Sequence, residues 1–294
     1  MQHFIVYVLI RKFIQFQIMR NIRFIFLFIG GACMSLHSCN TCSRTQTIEE
    51  ITIDLADLAI DSSYVSMAQK VFYALPSPIE MTILMKNLGV TFQSSLLHDP
   101  SSASRYLTNQ KMALNFGAYI TDLTYAGLFE QSQTVLRYKL AVRILTEGLG
   151  LMPSIDLNTM QHLEDNINNK DEVLRIISDT YASCTAALNE NDRNFLTMAM
   201  FVGGWVEAMH IATSMTTLHD NRTKQLMVDQ KLTFDMLWLA MSEMNNLPEV
   251  ADMISGLSEL AQSLDKLDVE NVTPEEYAKI KEQIRIYRQN FTQK

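Results

Sequence analysis

Apolar residues recur every three or four positions along most of this chain, from Ile48 almost to the C-terminus. Two of the clearest stripes are Val135, Tyr138, Val142, Leu145, Leu149 and Tyr277, Ile280, Ile284, Tyr287, Phe291. This spacing places apolar side chains on one face of an α-helix. No convincing run alternates apolar and polar residues as a strand would, and only 10 glycines and 6 prolines interrupt 294 residues. The sequence therefore predicts an all-α fold.

Helix-start signals divide this region into a multi-helix bundle of about eight or nine helices. Ser77-Pro78-Ile79-Glu80 and Thr273-Pro274-Glu275-Glu276 both read as capping boxes with proline in the first turn, and Asp99-Pro100 marks another start. The predicted main helices are 48–74, 78–97, 102–128, 131–149, 171–189, 192–217, 221–245, 248–267 and one from 274, with a short helix within 156–168.

Two segments, 112–120 and 198–206, resemble each other, and each has glycine in mid-helix near an aromatic residue. They suggest a two-fold internal repeat, TPR-like or pseudo-symmetric, with units at about 78–150 and 171–245 followed by C-terminal helices in 248–294. Chance similarity between two buried helices is the alternative. Glycine in a helix costs about 1 kcal/mol relative to alanine, which favours a close helix crossing over a gap for a ligand.

The N-terminus has the order of a bacterial secretion signal. Arg20 and Arg23 precede an apolar run over 24–36, and no acidic residue occurs before Glu49. Leu36-His37-Ser38-Cys39 then resembles the lipobox of bacterial lipoproteins, which implies acylation of Cys39. The predicted domains are a signal peptide at 1–38, with Met19 as the suspected true start, a lipidated tether at 39–47 and a single helical domain at 48–294. An uncleaved membrane anchor is the alternative.

The predicted location follows from the residues around the cysteine. Asn40 follows Cys39, and no acidic run lies near it. In the lipoproteins that this signal resembles, such a sequence implies a protein of the cell envelope, held in the outer membrane and facing the periplasm. The expected partners are the membrane, through N-terminal acyl chains, and a protein or small ligand.

Charge and cysteine usage exclude several classes of function. Cleavage before Cys39 would remove Arg11, Lys12, Arg20 and Arg23 and no acid, which changes the net charge from −8 to −12. Such a chain repels phosphate backbones, so nucleic acid is not an expected partner. The Cys39–Cys42 spacing lacks the second cysteine pair that a metal or redox site would need. No cofactor and no metal site are predicted.

Charged residues within apolar helices are the candidates for chemistry. The run 195–212 is almost wholly apolar, and its Glu207 and His210 share one helix face, which favours a core helix over a membrane span. The functional hypothesis is a small polar cavity lined by Asn115, Tyr119, Asp122, Glu207 and His210. The structural alternative pairs a buried Asp122 with a cation from the next helix, namely Arg137, Lys139 or Arg143.

Three stretches, 71–80, 113–126 and 203–207, resemble helical lipoproteins of the Bacteroidetes that have no assigned activity, and the likeness covers about 65–245. The resemblance implies an all-helical envelope protein and transfers no catalytic residues. No nucleophile elbow, phosphate-binding loop or zinc-protease motif occurs. The sequence therefore favours a non-enzymatic binding or scaffold module over a periplasmic hydrolase or lyase that uses Asp122, Glu207 and His210 as acid and base.

Overall fold

The computed structural model describes residues 90–152, 157–191, 193–218, 221–268 and 271–293, and these residues are all-helical with no strand. The predicted signal peptide, the tether with Cys39, the helix at 48–74 and the helix start at Ser77 lie outside the described residues. They remain predictions.

The helices follow one another with short connections. Their bounds are α1 Asn109–Leu128, α2 Ser132–Gly148, α3 Leu157–Asp165, α4 Lys170–Glu190, α5 Asn194–Met215, α6 Asn221–Glu243, α7 Pro248–Asp265 and α8 Pro274–Thr292, preceded by short 3-10 helices at Ser94–Leu96 and Pro100–Arg105. From α2 onward the predicted helices are confirmed, with bounds that differ by no more than a few residues. Both predicted apolar stripes are buried.

The sequence prediction is wrong between 90 and 108. Residues 90–97 were expected to end a helix, but they are irregular apart from one short 3-10 turn. The expected helix at 102–128 is interrupted, because Tyr106 and Thr108 have extended backbones and α1 begins only after Thr108. Asp99 is also extended, as the residue before a proline usually is, and its side chain caps the 3-10 helix. Apolar spacing alone does not reveal such a break.

The core is built on the crossing of α1 and α5. A Cβ atom added to Gly117 would lie 1.9 Å from the Met200 carbonyl oxygen, and one added to Gly203 would lie 1.9 Å from the Leu114 carbonyl oxygen. The two backbones are therefore in direct contact, and the predicted close helix crossing is confirmed. The similar segments 112–120 and 198–206 are the ones that meet here, while the internal repeat itself remains a prediction.

Helix α5 lies at the centre of the described bundle. Every residue from Leu196 to Met209 is buried. Among the described residues, α5 is also the one helix with the length and apolar composition to cross a membrane. Its burial among the other helices confirms the predicted core helix.

Helix α8 closes the described chain against this core. Thr273 accepts a hydrogen bond from the Glu276 backbone N–H, and the Glu276 side chain accepts one from the Thr273 backbone N–H, so the predicted capping box is confirmed. The helix then packs its apolar stripe on α5, α7 and α1. This packing brings Arg288, near the end of α8, next to the middle of α5.

Replacing Thr273 with alanine is expected to lower the free energy of unfolding by about 1 kcal/mol, because it removes the side-chain half of the capping box. Urea denaturation measures the loss. Glu275→Gln is the matched control, since Glu275 lies in the same turn but takes no part in the box. Equal losses in the two variants would contradict the assignment.

Candidate functional site

A buried ion pair joins α5 to α8. The Arg288 Nε atom donates to Glu207 Oε2 at 2.6 Å, and Nη2 donates to Oε1 at 2.7 Å. Glu207 is 0% exposed. Burial opposes ionisation of this carboxyl group, but the charge and hydrogen bonds of Arg288 outweigh that effect and lower the pKa of Glu207. Glu207 is therefore an ionised carboxylate in a bidentate contact with the Arg288 guanidinium.

Asp122 lies beside this pair and is also 0% exposed. Its Oδ2 atom accepts a hydrogen bond from the backbone N–H of His98 at 3.0 Å. No donor among the described residues forms a hydrogen bond to Oδ1. Burial and the neighbouring Glu207 carboxylate raise the pKa of Asp122 well above its ordinary value. The raised pKa favours a protonated Asp122 beside an ionised Glu207, and Arg288 with Glu207 then forms one balanced pair of charges.

The same side chains bind the irregular backbone before Pro100. The carbonyl oxygen of Leu96 accepts a hydrogen bond from Arg288 Nη2 at 3.2 Å, and the His210 ring lies close to the Leu96 backbone. Burial, followed by the charge of Arg288, lowers the pKa of His210 to about 4. His210 is therefore a neutral hydrogen-bonding group near neutral pH.

Two tyrosines complete the hydrogen bonding of this segment. Tyr138 donates to the His98 carbonyl oxygen at 2.6 Å, and Tyr119 donates to the Asp99 carbonyl oxygen at 2.7 Å. Buried backbone groups outside helices and strands need such partners. The polar side chains thus replace the ladder of hydrogen bonds that a helix would have supplied at 96–99.

A second set of polar side chains binds the end of α8. Asn115 donates to the carbonyl oxygen of Phe291 at 2.9 Å. Tyr106 donates to that of Thr292 and Lys111 to that of Gln293, both at 3.2 Å. The last carbonyl groups of a helix have no partner within it. Side chains on α1 and just before it therefore cap the C-terminus of α8.

The predicted site residues fall into two groups. Asp122, Glu207 and His210 lie together, and Tyr119 joins them through the backbone of 96–99. Asn115 instead contacts the end of α8. We call the residues Asp122, Glu207, His210 and Arg288 the polar cluster.

The predicted cation partners of Asp122 are wrong. On α2, Lys139 pairs with Glu164, Arg143 pairs with Glu147, and Arg137 bonds to Thr134. The cation near Asp122 is instead Arg288, which comes from the far end of the sequence. Periodicity within one helix does not show which distant helix packs against it.

Sequence reasoning missed four residues of this region, namely His98, Tyr106, Tyr138 and Arg288. His98 Nε2 lies 2.5 Å from Tyr106 Oη, and burial lowers the pKa of His98 to about 4. Arg288 could have been found, because it lies four residues after Ile284 and three before Phe291 and so shares their buried face. The described residues contain no group of three His, Cys, Asp or Glu side chains placed to hold a metal ion.

Replacing Asp122 with asparagine is expected to leave unchanged or raise the free energy of unfolding near neutral pH, because the amide can still accept from His98 and donate to Glu207 and takes up no proton on folding. The raised pKa gives a pH dependence as well. The contribution of Asp122 to the free energy of unfolding is fully present below its ordinary pKa of 3.8. This contribution is lost as the pH rises toward the folded-state pKa. The free energy of unfolding of Asp122→Asn should therefore increase relative to that of the natural protein as the pH rises.

Urea denaturation over a series of pH values measures this difference. Asp165→Asn is the control, because Asp165 is exposed at the end of α3 and its replacement should not alter the pH dependence. A large loss of stability in Asp122→Asn at every pH would show that Asp122 is an ionised partner of Arg288 instead.

Comparison with known proteins assigns no family to this chain. No family model matches it, and no curated protein or solved structure is significantly similar to it.

Proposed function

We propose that this chain is a membrane-tethered lipoprotein of the cell envelope, which faces the periplasm from the outer membrane and acts as a non-enzymatic binding or scaffold module. Two features of the sequence support the tether, namely the basic and apolar signal and the cysteine directly behind it. A folded helical body after such a signal is what a tethered module requires. The ligand or protein partner binds this body outside the polar cluster.

One observation carries the non-enzymatic part of the proposal. The carboxyl groups of Asp122 and Glu207 are both 0% exposed, and both Glu207 oxygens are bound by Arg288. Their hydrogen bonds hold α8 and the backbone at 96–99 on the α1–α5 core. The polar cluster therefore supplies hydrogen-bond partners to buried backbone groups and a counter-charge to a buried carboxylate.

The alternative, a periplasmic hydrolase or lyase, makes a different demand on the same residues. A general acid or base must come within hydrogen-bonding distance of a substrate atom. Asp122 and Glu207, two of the three residues that it would use, have no exposed surface through which a substrate could approach. This geometry favours the binding module.

Metabolic labelling with an alkyne-bearing palmitate tests the tether. The natural chain and Cys42→Ser should incorporate the label and fractionate with membranes, whereas Cys39→Ser should not incorporate it. Cys42 is the matched control because it is a second cysteine only three positions away. Label retained in Cys39→Ser, or an unlabelled natural chain in the soluble fraction, would contradict the proposal.

Complementation of a strain that lacks the gene tests the non-enzymatic part. Asp122→Asn keeps the shape and hydrogen bonds of the polar cluster but removes its acid, so it should restore any growth or envelope defect as well as the natural chain does. An Asp122→Asn protein that is present at normal levels with normal stability, yet fails to complement, would support the enzyme instead.

A further inference from the structure

The exposed face of α2 carries an aliphatic stripe. Leu136, Leu140 and Ile144 are four residues apart and therefore lie along one line of the helix. Leu140 is 56% exposed and Ile144 is 41% exposed, while Leu136 is half-buried. The opposite face of α2 already packs on α1 and on the 3-10 helix Pro100–Arg105, so the stripe is not needed for the core.

Basic residues flank this stripe. Arg137 and Arg143 are both exposed, Arg143 in a solvent-exposed ion pair with Glu147, and Arg105 is exposed on the 3-10 helix that packs against α2. Within 100–152 the basic residues are Arg105, Lys111, Arg137, Lys139 and Arg143, and the acidic ones are Asp122, Glu130 and Glu147. This region is therefore basic although the whole chain has a net charge of −8.

We infer that the α2 face, defined as Leu136, Arg137, Leu140, Arg143 and Ile144, docks on the surface of an anionic lipid bilayer. The inference rests on the proposed tether, which would hold the domain next to such a surface. Aliphatic side chains enter the boundary between headgroups and acyl chains, and arginines beside them bind lipid phosphates. The acidic remainder of the domain is repelled by the same lipids, so the charge distribution selects α2 as the side that faces the membrane.

Fluorescence quenching at the bilayer surface tests this orientation. The full acylated chain, with Cys42→Ser, carries one environment-sensitive fluorophore at Gln133→Cys on the exposed face of α2 or at Gln262→Cys on α7. Both glutamines are exposed, and α7 packs on α6 and α8 instead of α2. Cys184 is buried, and burial raises the pKa of its thiol to about 12, so it does not take the label.

In phosphatidylcholine vesicles that contain phosphatidylglycerol, we expect spin-labelled lipid to quench the probe at position 133 and to leave the probe at 262 bright. Replacing Arg137 and Arg143 with glutamine should lower the ratio of docked to undocked protein about thirtyfold. Arg285→Gln is the matched control, because Arg285 is an exposed arginine of α8 and its loss should not change the quenching.

Three results would overturn the inference. The first two are equal quenching at positions 133 and 262, and quenching at 133 that survives the loss of both arginines. The third is a change in probe fluorescence that depends on the density of protein on the vesicles instead of on the concentration of spin-labelled lipid. The last of these would show that a second copy covers the stripe. Mass measurement of the N-terminal peptide in the same preparation tests the tether separately. If Cys39 carries no acyl group, the variants are remade with Cys33→Ser and Cys39→Ser so that each still carries one fluorophore, they are mixed with the same vesicles in solution, and the docking face is judged from that quenching.

Discussion

Replacing Arg288 with methionine is expected to lower the free energy of unfolding by about 3–5 kcal/mol, because it leaves the Glu207 carboxylate buried without its counter-charge. Methionine occupies much of the same volume, so the loss reports charge and hydrogen bonding more than packing. The Leu96 carbonyl oxygen also loses its hydrogen bond from Arg288 Nη2. Chemical denaturation followed by circular dichroism measures the change.

Arg285→Met is the matched control for this prediction. Arg285 lies three positions away on the same helix and pairs with Glu282 at the surface. Solvent screens such exposed pairs, so its loss should leave the stability nearly unchanged. If both variants lose stability equally, the buried pair has no special role.

Replacing Gly203 with alanine is expected to destabilise the protein by about 3 kcal/mol or more, at or beyond the upper end of typical overpacking effects. The added Cβ atom would lie 1.9 Å from the Leu114 carbonyl oxygen, and a backbone atom cannot move away without separating α1 from α5. Gly117→Ala should behave in the same way, because its Cβ would meet the Met200 carbonyl oxygen. Thermal and urea denaturation measure both variants.

Gly148→Ala provides the control, since its Cβ would meet only the end of the flexible Met112 side chain, namely the sulfur and the methyl group beyond it. The better helix propensity of alanine offsets part of that contact, so the net change should stay within about 1 kcal/mol. Equal effects at positions 148 and 203 would mean that the α1–α5 crossing tolerates a wider spacing than the structure shows.

The helices were predictable because their signals are local. The stripe from Val135 to Leu149 and the capping box at Thr273 depend on residues within one helix, and both are confirmed. The break between 90 and 108 was not predictable in this way. Its backbone is held by side chains from other helices, such as Tyr138 and Asp122, which bond to His98.

The polar cluster was only half predictable, for a related reason. Asp122 and Glu207 were found because a charge in an apolar helix stands out in the sequence. Arg288 was missed because its position on the face of Ile284 and Phe291 indicates burial but does not show which distant carboxylate it meets. Arg288, and not a cation of α2, lies beside Asp122 because of how the helices pack in the folded chain.

A double-mutant cycle between Glu207 and Arg288, measured by urea denaturation, tests the structural role of the polar cluster most directly. Each single variant, Glu207→Gln or Arg288→Met, leaves one buried charge without its partner, whereas the double variant removes both charges. We expect the double variant to be more stable than Arg288→Met alone. A double variant whose loss equals the sum of the two single losses would contradict it.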